Sequence, residues 1–208
     1  MCIRDRLHTQ QKVQQKRDER KAYQVVFHPS SARFVPLGSL DIPTIITGNE
    51  GNATKVLGFN STPYEKFTSW EAGPAGKDMF IIDTQTGDKI PIGKGIKGRP
   101  SLSPMGKFAF AYLPADSSYY AYEIATKKTV QITNNLTVKF YDELNDRPMH
   151  PNAYRIAGWL ENDAAVLIYD RYDIWKIDPK GIKKPINLTN GRVDNLSLIH
   201  ISEPTRPY

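Results

Sequence analysis

The sequence contains a single cysteine, Cys2, among its 208 residues. Disulfide bonds within the chain and cysteine-based zinc sites are therefore excluded, as is a cysteine nucleophile anywhere beyond the first residues. The chain also lacks any apolar run long enough to cross a membrane as a helix, so we predict no membrane span. The scarcity of cysteine does not distinguish the cytoplasm from an oxidising compartment.

The main part of the chain also has little net positive charge. The formal net charge is +6, of which residues 1–6 and 196–208 carry +1 and residues 7–24 carry +3. Only about +2 remains over residues 25–195. Because nucleic-acid binding depends on concentrated basic charge against the phosphates, we predict no nucleic-acid partner.

Both ends of the sequence match a sequencing adapter. Residues Leu196–Arg206 are what one strand of a transposon adapter used to prepare sequencing libraries encodes, and Met1–Asp5 are what its opposite strand encodes. We therefore interpret residues 1–6 and 196–208 as adapter-derived and expect the true termini to lie outside this sequence, so the sequence does not decide whether there is a signal peptide. The ordinary alternative is an amphipathic strand at Leu198–Ile201.

From residue 25 onward, short runs of β-branched and aromatic residues alternate with clusters of Gly, Pro, Asn and Asp. This alternation is typical of strands and tight turns, and no stretch in it has the period of a helix. Residues 7–24 differ, because they are rich in Gln, Lys and Arg and have no apolar stripe. We predict an all-β fold at 25–195, preceded by a polar connector at 7–24 that is able to form a helix.

A repeated hairpin indicates the kind of all-β fold. The three copies span Phe80–Ile92, Ala121–Thr133 and Ile174–Thr189. From Ile92 to Ile132 is 40 residues and from Ile132 to Leu188 is 56, with inner strands between the hairpins at Phe108–Tyr112 and Ala164–Asp170. Four short strands per repeat predict an incomplete β-propeller of roughly three four-stranded blades, with an insertion at Phe140–Tyr154 in the longer interval. Because such a partial ring leaves blade faces and strand edges bare, we expect the isolated chain to be poorly soluble.

Motifs that would carry chemistry are missing or incomplete. Gly93–Gly98 matches G-x-G-x-x-G, but Arg99–Pro104 cannot continue as the helix that a dinucleotide site needs, so the run predicts a turn between blades. The nucleophile elbow G-x-S-x-G does not occur, and His8, His28 and His150 have neither a triad pairing nor metal spacing. We predict no catalytic residue, metal or cofactor in this chain, and exposed loop positions for His28 and His150.

The one suggestive constellation is acidic: Asp142, Glu143 and Asp146 lie within the insertion. Carboxylates on a propeller loop are able to hold the amino terminus of a peptide or a cation, so these residues are candidates for a substrate or cation contact. The alternative, which the residue types favour, is turn chemistry in which Asp and Asn side chains accept hydrogen bonds from nearby backbone N–H groups.

Several strings occur in an order typical of one family. They are Asp41–Pro43, Tyr64–Glu71, Ser103–Lys107, Phe140–Glu143, Ala157–Trp159, Tyr169–Asp178 and Asn187–Gly191. Together they resemble the N-terminal propeller of large bacterial prolyl oligopeptidase family serine peptidases, of the kind found in Bacteroidetes, over nearly all of residues 20–195. Tyr169–Asp178 is the most specific part, whereas Met105 departs from the pattern because that turn usually has Asp.

The resemblance implies that a catalytic α/β-hydrolase domain with Ser, Asp and His comes after the propeller, which gates the access of peptides to it. It also implies export to the periplasm. None of the family's catalytic residues maps onto this chain, so we expect a non-catalytic part of a parent serine peptidase. The alternative is a stand-alone propeller that binds protein in the cell envelope. The two hypotheses differ in the gene sequence expected beyond Asn195: more blades and a G-x-S-x-G elbow, or an early stop codon.

Overall fold

The structure is a computed structural model that describes residues 12–193, apart from residues 14, 49, 50, 69, 72 and 135. The ends interpreted as adapter-derived, 1–6 and 196–208, lie outside the described residues. The chain divides into two compact units between Gly98 and Arg99. Residues 15–19, within the polar connector, are helical and exposed.

The first unit contains a two-stranded hairpin and one four-stranded antiparallel sheet. The N-terminal hairpin pairs β1 (Val25–His28) with β2 (Arg33–Pro36). The first sheet contains, in spatial order, β3 (Thr44–Ile46), β4 (Lys55–Asn60), β5 (Asp78–Asp83) and β6 (Lys89–Gly93). A 3₁₀ helix at Thr62–Phe67 connects β4 to β5, where the sequence had indicated no helix.

The second unit contains two four-stranded antiparallel sheets. The second sheet is built from β7 (Arg99–Leu102), β8 (Phe108–Leu113), β9 (Ser118–Glu123) and β10 (Lys128–Gln131). The third sheet is built from β11 (Ile156–Trp159), β12 (Val166–Tyr169), β13 (Ile174–Ile177) and β14 (Ile186–Asn187). A short 3₁₀ helix at Glu161–Asp163 lies between β11 and β12.

In each four-stranded sheet, strands adjacent in sequence are also adjacent in space, which is the up-and-down order of a propeller blade. The three sheets confirm the predicted fold class, all β with three four-stranded blades. The three predicted hairpins are present as β5–β6, β9–β10 and β13–β14. The predicted insertion lies between β10 and β11, where it lengthens the connection between two blades.

The glycine-rich run at Gly93–Gly98 forms a turn, as predicted. Gly93 ends β6, and Ile96 then pairs with Lys77 through two backbone hydrogen bonds of 2.9 and 3.1 Å. Gly95 has a φ of +66°, which favours glycine, and its N–H donates to Asp78 Oδ1 at 3.0 Å. No helix begins here, so the run has no anion-binding helix terminus.

The core of the first unit lies between the N-terminal hairpin and the first sheet. The hairpin contributes Val35, which is 2% exposed, and the half-buried Val26 that pairs with it across the strands. They pack with Ile42, Val56 and Ile82, all nearly inaccessible to solvent. Because side chains alternate along a strand, the opposite face of the hairpin points away from this core.

The core of the second unit draws on both of its sheets. Phe110, Tyr112 and Tyr119 come from the second sheet, and they pack with Val166 and Ile168 from the third. Nearly every residue of β8 is buried, as expected of an inner strand covered on both faces. This packing of blade on blade gives the loops of the unit a fixed base.

A buried carboxylate ties the two sheets of this unit together. Asp163, only 2% exposed, accepts a hydrogen bond from Ser103 Oγ at 2.5 Å and from the backbone N–H groups of Met105 and Lys107 at 3.1 and 3.2 Å. All three donors belong to the turn between β7 and β8. Met105 contributes only its backbone to this contact, and its side chain is 44% exposed. The turn is therefore intact with Met105 where we expected Asp, because Asp163 supplies a carboxylate from the connection between β11 and β12.

Candidate functional site

The insertion Phe140–Tyr154 is a closed loop. Tyr141 and Ala153 form an isolated antiparallel bridge at its base, where Asp142 N–H donates to Asn152 O at 2.8 Å and Tyr154 N–H donates to Phe140 O at 3.0 Å. Compact loops whose ends meet in this way are frequently functional.

Side chains of the sheets hold this loop in place. Phe140 is 2% exposed and packs in the core of the second unit. Its ring lies edge to face with the ring of Trp175, with 6.3 Å between the ring centroids. The hydroxyls of Tyr112 and Tyr119 donate to the carbonyls of Pro151 and Tyr154, at 3.1 and 2.6 Å. Burial raises the pKa of Tyr119, so this hydroxyl remains a donor over the whole physiological range. The loop is therefore fixed by its core residue and by two tyrosines that lie on β8 and β9.

The three predicted contact residues in the loop, Asp142, Glu143 and Asp146, differ in their exposure and hydrogen bonds. Asp142 is exposed, and its Oδ1 accepts a hydrogen bond from Leu144 N–H at 3.0 Å, which is the turn chemistry weighed against a ligand contact. Glu143 is half-buried, and its backbone N–H donates to the hydroxyl of Tyr154. Asp146 is exposed at the tip. In the part of the chain that the structure describes, no three His, Cys, Asp or Glu residues are grouped so that they could hold a metal ion. A contact with a peptide stays a prediction.

Beside the loop, the turn between β12 and β13 is built on a buried aspartate that sequence reasoning missed. Asp170 is 1% exposed, and its Oδ1 accepts from the backbone N–H groups of Tyr172 and Asp173 at 2.6 and 2.5 Å. Its Oδ2 accepts from Trp175 Nε1 at 3.1 Å and from Arg192 at 2.9 Å. Four donors thus satisfy one carboxylate, which is how a charged group is tolerated inside a fold.

A second buried aspartate connects this turn to the segment after β14. Asp173 is fully buried, and its Oδ1 accepts from Thr189 Oγ1 at 2.9 Å and from the backbone N–H of Gly191. The strings Tyr169–Asp178 and Asn187–Gly191 are therefore joined by hydrogen bonds into one structural unit. Each of the two strings thus supplies hydrogen-bond partners of the other.

The loop and the turn are neighbours and form one surface, which we name the loop–turn surface (140–154 and 170–173, with Arg192). Tyr169 N–H donates to Arg155 O at 3.1 Å, immediately after the loop. Arg171 acts electrostatically to lower the pKa of Tyr154, although burial raises that pKa overall. Burial is the largest single influence on Arg192 and lowers its pKa, but the hydrogen bond to Asp170 and the negative charges of Asp170, Glu143 and Asp173 together outweigh it and raise the pKa of the guanidinium. The surface thus combines carboxylates, arginines and tyrosines in fixed positions.

The two histidines among the described residues have different surroundings. His150 is exposed in the loop, as predicted. The expectation of an exposed loop position was wrong for His28, which ends β1, is half-buried and hydrogen-bonds to Thr84 O at 2.8 Å. Its ring nitrogen must donate there, because a carbonyl only accepts. His28 therefore has a structural partner, which its sequence context before a proline did not indicate.

Comparison with known proteins gives limited information. No family model matches the chain, and no curated protein matches its sequence. Among solved structures, the chain is similar to an oligogalacturonate lyase in complex with manganese, at 11% identity and a TM-score of 0.47 over 81% of this chain and 48% of that one. It is also similar to TolB from Acinetobacter baumannii, at 12% identity and a TM-score of 0.42 over 82% of this chain and 38% of that one.

The chain therefore spans about half the length of the first of these proteins and less of the second. Likeness at this level carries no information on ligands or activity. Within the described part of the chain, no helix combines the length and the apolar character needed to cross a membrane.

Proposed function

We propose that this chain is the non-catalytic propeller part of a prolyl-oligopeptidase-like serine peptidase, and that it gates the access of peptides to a catalytic α/β-hydrolase domain encoded beyond it. The resemblance of residues 20–195 to that family motivates the proposal. The observation that carries it is the closed and anchored loop Phe140–Tyr154. A gate must hold its shape when a peptide presses against it, and this loop has a core residue and two tyrosine hydroxyls fixing it.

The loop–turn surface also has the groups that a peptide would meet. Asp142, Glu143 and Asp146 are the proposed contacts for the amino end of a peptide or another cation, and Arg171 and Arg192 provide opposite charge beside them. Because Glu143 acts electrostatically on Arg192, the two charge types lie close enough to influence each other. Such a surface favours a ligand with both charges, as a short peptide has.

The test uses the full-length parent protein, obtained by extending the gene beyond residue 195. Replacing residues 142–151 with a Gly-Ser linker keeps the anchors Phe140 and Tyr154 but removes the projection. We expect kcat/KM for a small chromogenic ester to be unchanged and kcat/KM for long peptides to rise several-fold, because a gate excludes by size. Hydrolysis of a peptide series of increasing length measures this.

The matched control replaces the turn at residues 125–127, which lies at the other end of β9 from the loop, and should leave the length profile unchanged. A parent that has no G-x-S-x-G elbow and is not labelled by a fluorophosphonate probe would overturn the peptidase hypothesis. That result would favour the stand-alone, protein-binding propeller of the cell envelope.

A further inference from the structure

A group of exposed lysines lies where two turns of the second unit come together. The turns are those between β9 and β10 and between β13 and β14. Lys180 Nζ of the second turn pairs with Glu123 Oε1 of β9 at 2.7 Å. The turns approach so closely that a Cβ on Gly181 would lie 2.6 Å from the side chain of Val130 on β10. We name this region the lysine surface, and its lysines are Lys127, Lys128, Lys180, Lys183 and Lys184, all exposed.

The positive charge of this surface is only partly neutralised locally. Its carboxylates are Glu123, which pairs with Lys180, and Asp178. Asp178 faces the inside of its own turn, where it accepts from the backbone N–H groups of Lys180, Ile182 and Lys183 at 3.0, 3.2 and 3.0 Å. Five lysines against two carboxylates leave an excess of three positive charges. This local excess is larger than the roughly +2 net charge of residues 25–195, so positive charge is concentrated here.

An apolar tip lies among these lysines. Ile182 is 80% exposed at the end of its turn, between Lys180 and Lys183 in sequence. Ile186 and Leu188 follow on and beside β14, at 54% and 50% exposed. Ile186 and Leu188 lie two residues apart and therefore share one face of this edge, and Ile182 projects from the turn before it. Exposed apolar side chains beside a group of lysines mark a surface that contacts something else.

The composition of the surface favours a lipid rather than a protein partner. Protein interfaces are enriched in aromatic residues and arginine and depleted in lysine, whereas the exposed residues named on this surface are mostly lysines and aliphatic residues and include no arginine or aromatic residue. A cluster of four to eight basic residues beside exposed apolar side chains matches the requirements of an anionic membrane surface. The alternative is that Lys183 and Lys184 only prevent the free edge of β14 from pairing with other chains.

We propose that the lysine surface binds the surface of a membrane that contains anionic lipids, with Ile182 entering the interface and the lysines contacting the headgroups. The binding is peripheral and does not involve a membrane-spanning element. The lysine surface lies at the opposite end of β13 from the loop–turn surface, so the two surfaces are able to bind their ligands at the same time.

Flotation of the chain with lipid vesicles tests this proposal, because floating vesicles separate bound protein from any aggregate. We expect flotation with vesicles of phosphatidylcholine and phosphatidylglycerol, none with phosphatidylcholine alone, and loss of binding as salt is raised. Each lysine near an anionic surface is worth roughly a fivefold change in binding, so Lys183→Gln with Lys184→Gln should weaken it about 25-fold. Ile182→Ser should weaken it about fivefold by removing the apolar tip.

The matched control is Lys16→Gln with Lys21→Gln, two exposed lysines of the other basic segment, and it should bind normally. Equal loss in this control would show a general charge effect and overturn the proposal. Unchanged flotation of the Lys183→Gln and Lys184→Gln variant with more aggregation would support edge protection instead. Unchanged binding of Ile182→Ser would show that the apolar tip does not enter the membrane.

Discussion

Asp163 stabilises a turn that lies far from it in the sequence. It accepts hydrogen bonds from a turn about 60 residues earlier, and the adjacent Lys107 Nζ donates to the carbonyl of Asn162 at 2.9 Å. Judged from the sequence, Met105 weakened that turn, because the local pattern shows only neighbours along the chain. The carboxylate that completes the turn comes from another sheet, so residue patterns alone could not reveal it.

We expect Asp163→Asn to lower the free energy of unfolding by about 2 kcal/mol and Asp163→Ala by about 3 kcal/mol, measured by urea denaturation. Asn tolerates the φ of +58° found at this position, so Asp163→Asn removes an acceptor without adding backbone strain. Alanine removes the acceptor of Ser103 Oγ and of the Met105 N–H, whereas the Lys107 N–H keeps its hydrogen bond to Ser103 Oγ at 3.1 Å. Asp116→Asn at an exposed carboxylate is the control and should change stability by less than about 0.5 kcal/mol. An equal effect of both asparagine variants would contradict a special role for Asp163.

At the scale of elements, the strands were predictable and the anchoring of the loop was not. Alternating apolar residues and turn signals are local, so all three predicted hairpins and the insertion at Phe140–Tyr154 appear close to where the sequence placed them. The hydroxyls that fix the insertion belong to β8 and β9, and the burial of Asp170 and Asp173 depends on segments folded against them. The sequence indicated Asp142, Glu143 and Asp146 because they are charged. It did not indicate the tyrosine hydroxyls that hold the loop in place.

Removing one anchoring hydroxyl should loosen the loop without disturbing the sheet. Tyr119→Phe leaves the carbonyl of Tyr154 without its 2.6 Å donor. We expect a loss of about 1–2 kcal/mol in the free energy of unfolding. Hydrogen exchange should be faster at the backbone N–H groups of Asp142 and Tyr154, with protection retained in β8.

The neighbouring tyrosine provides the control for this change. Tyr120→Phe removes a hydroxyl that hydrogen-bonds to the exposed Asp116 at 2.9 Å, so the free energy of unfolding should stay within about 0.5 kcal/mol of the unmodified chain and exchange in the loop should be unchanged. If Tyr119→Phe left exchange in the loop unchanged, Phe140 and Tyr112 would hold the loop without Tyr119, and the gating hypothesis would lose one of the anchors that support it.

At the scale of the molecule, the N-terminal hairpin leaves one face uncovered. Val26 and Val35 face the core of the first unit, so the alternate residues Val25, Phe27 and Phe34 are 51%, 49% and 69% exposed. The rings of Phe27 and Phe34 contact each other across the strands at a centroid distance of 4.7 Å. In a propeller each blade packs its two faces against neighbouring blades, so a bare apolar face is a place where chains associate. We therefore expect the association predicted from the sequence to occur at this face of the hairpin.

Replacing this face should reduce association without unfolding the unit. Phe27→Thr with Phe34→Thr keeps β-branched residues in both strands and removes the exposed rings, so the free energy of unfolding should stay within about 1 kcal/mol. The monomer fraction, measured by size-exclusion chromatography with light scattering, should rise. Val35→Thr on the buried face is the control: it should cost about 1–2 kcal/mol and leave the monomer fraction no higher. If the unmodified chain is already a monomer that unfolds cooperatively, then the exposed rings do not drive association.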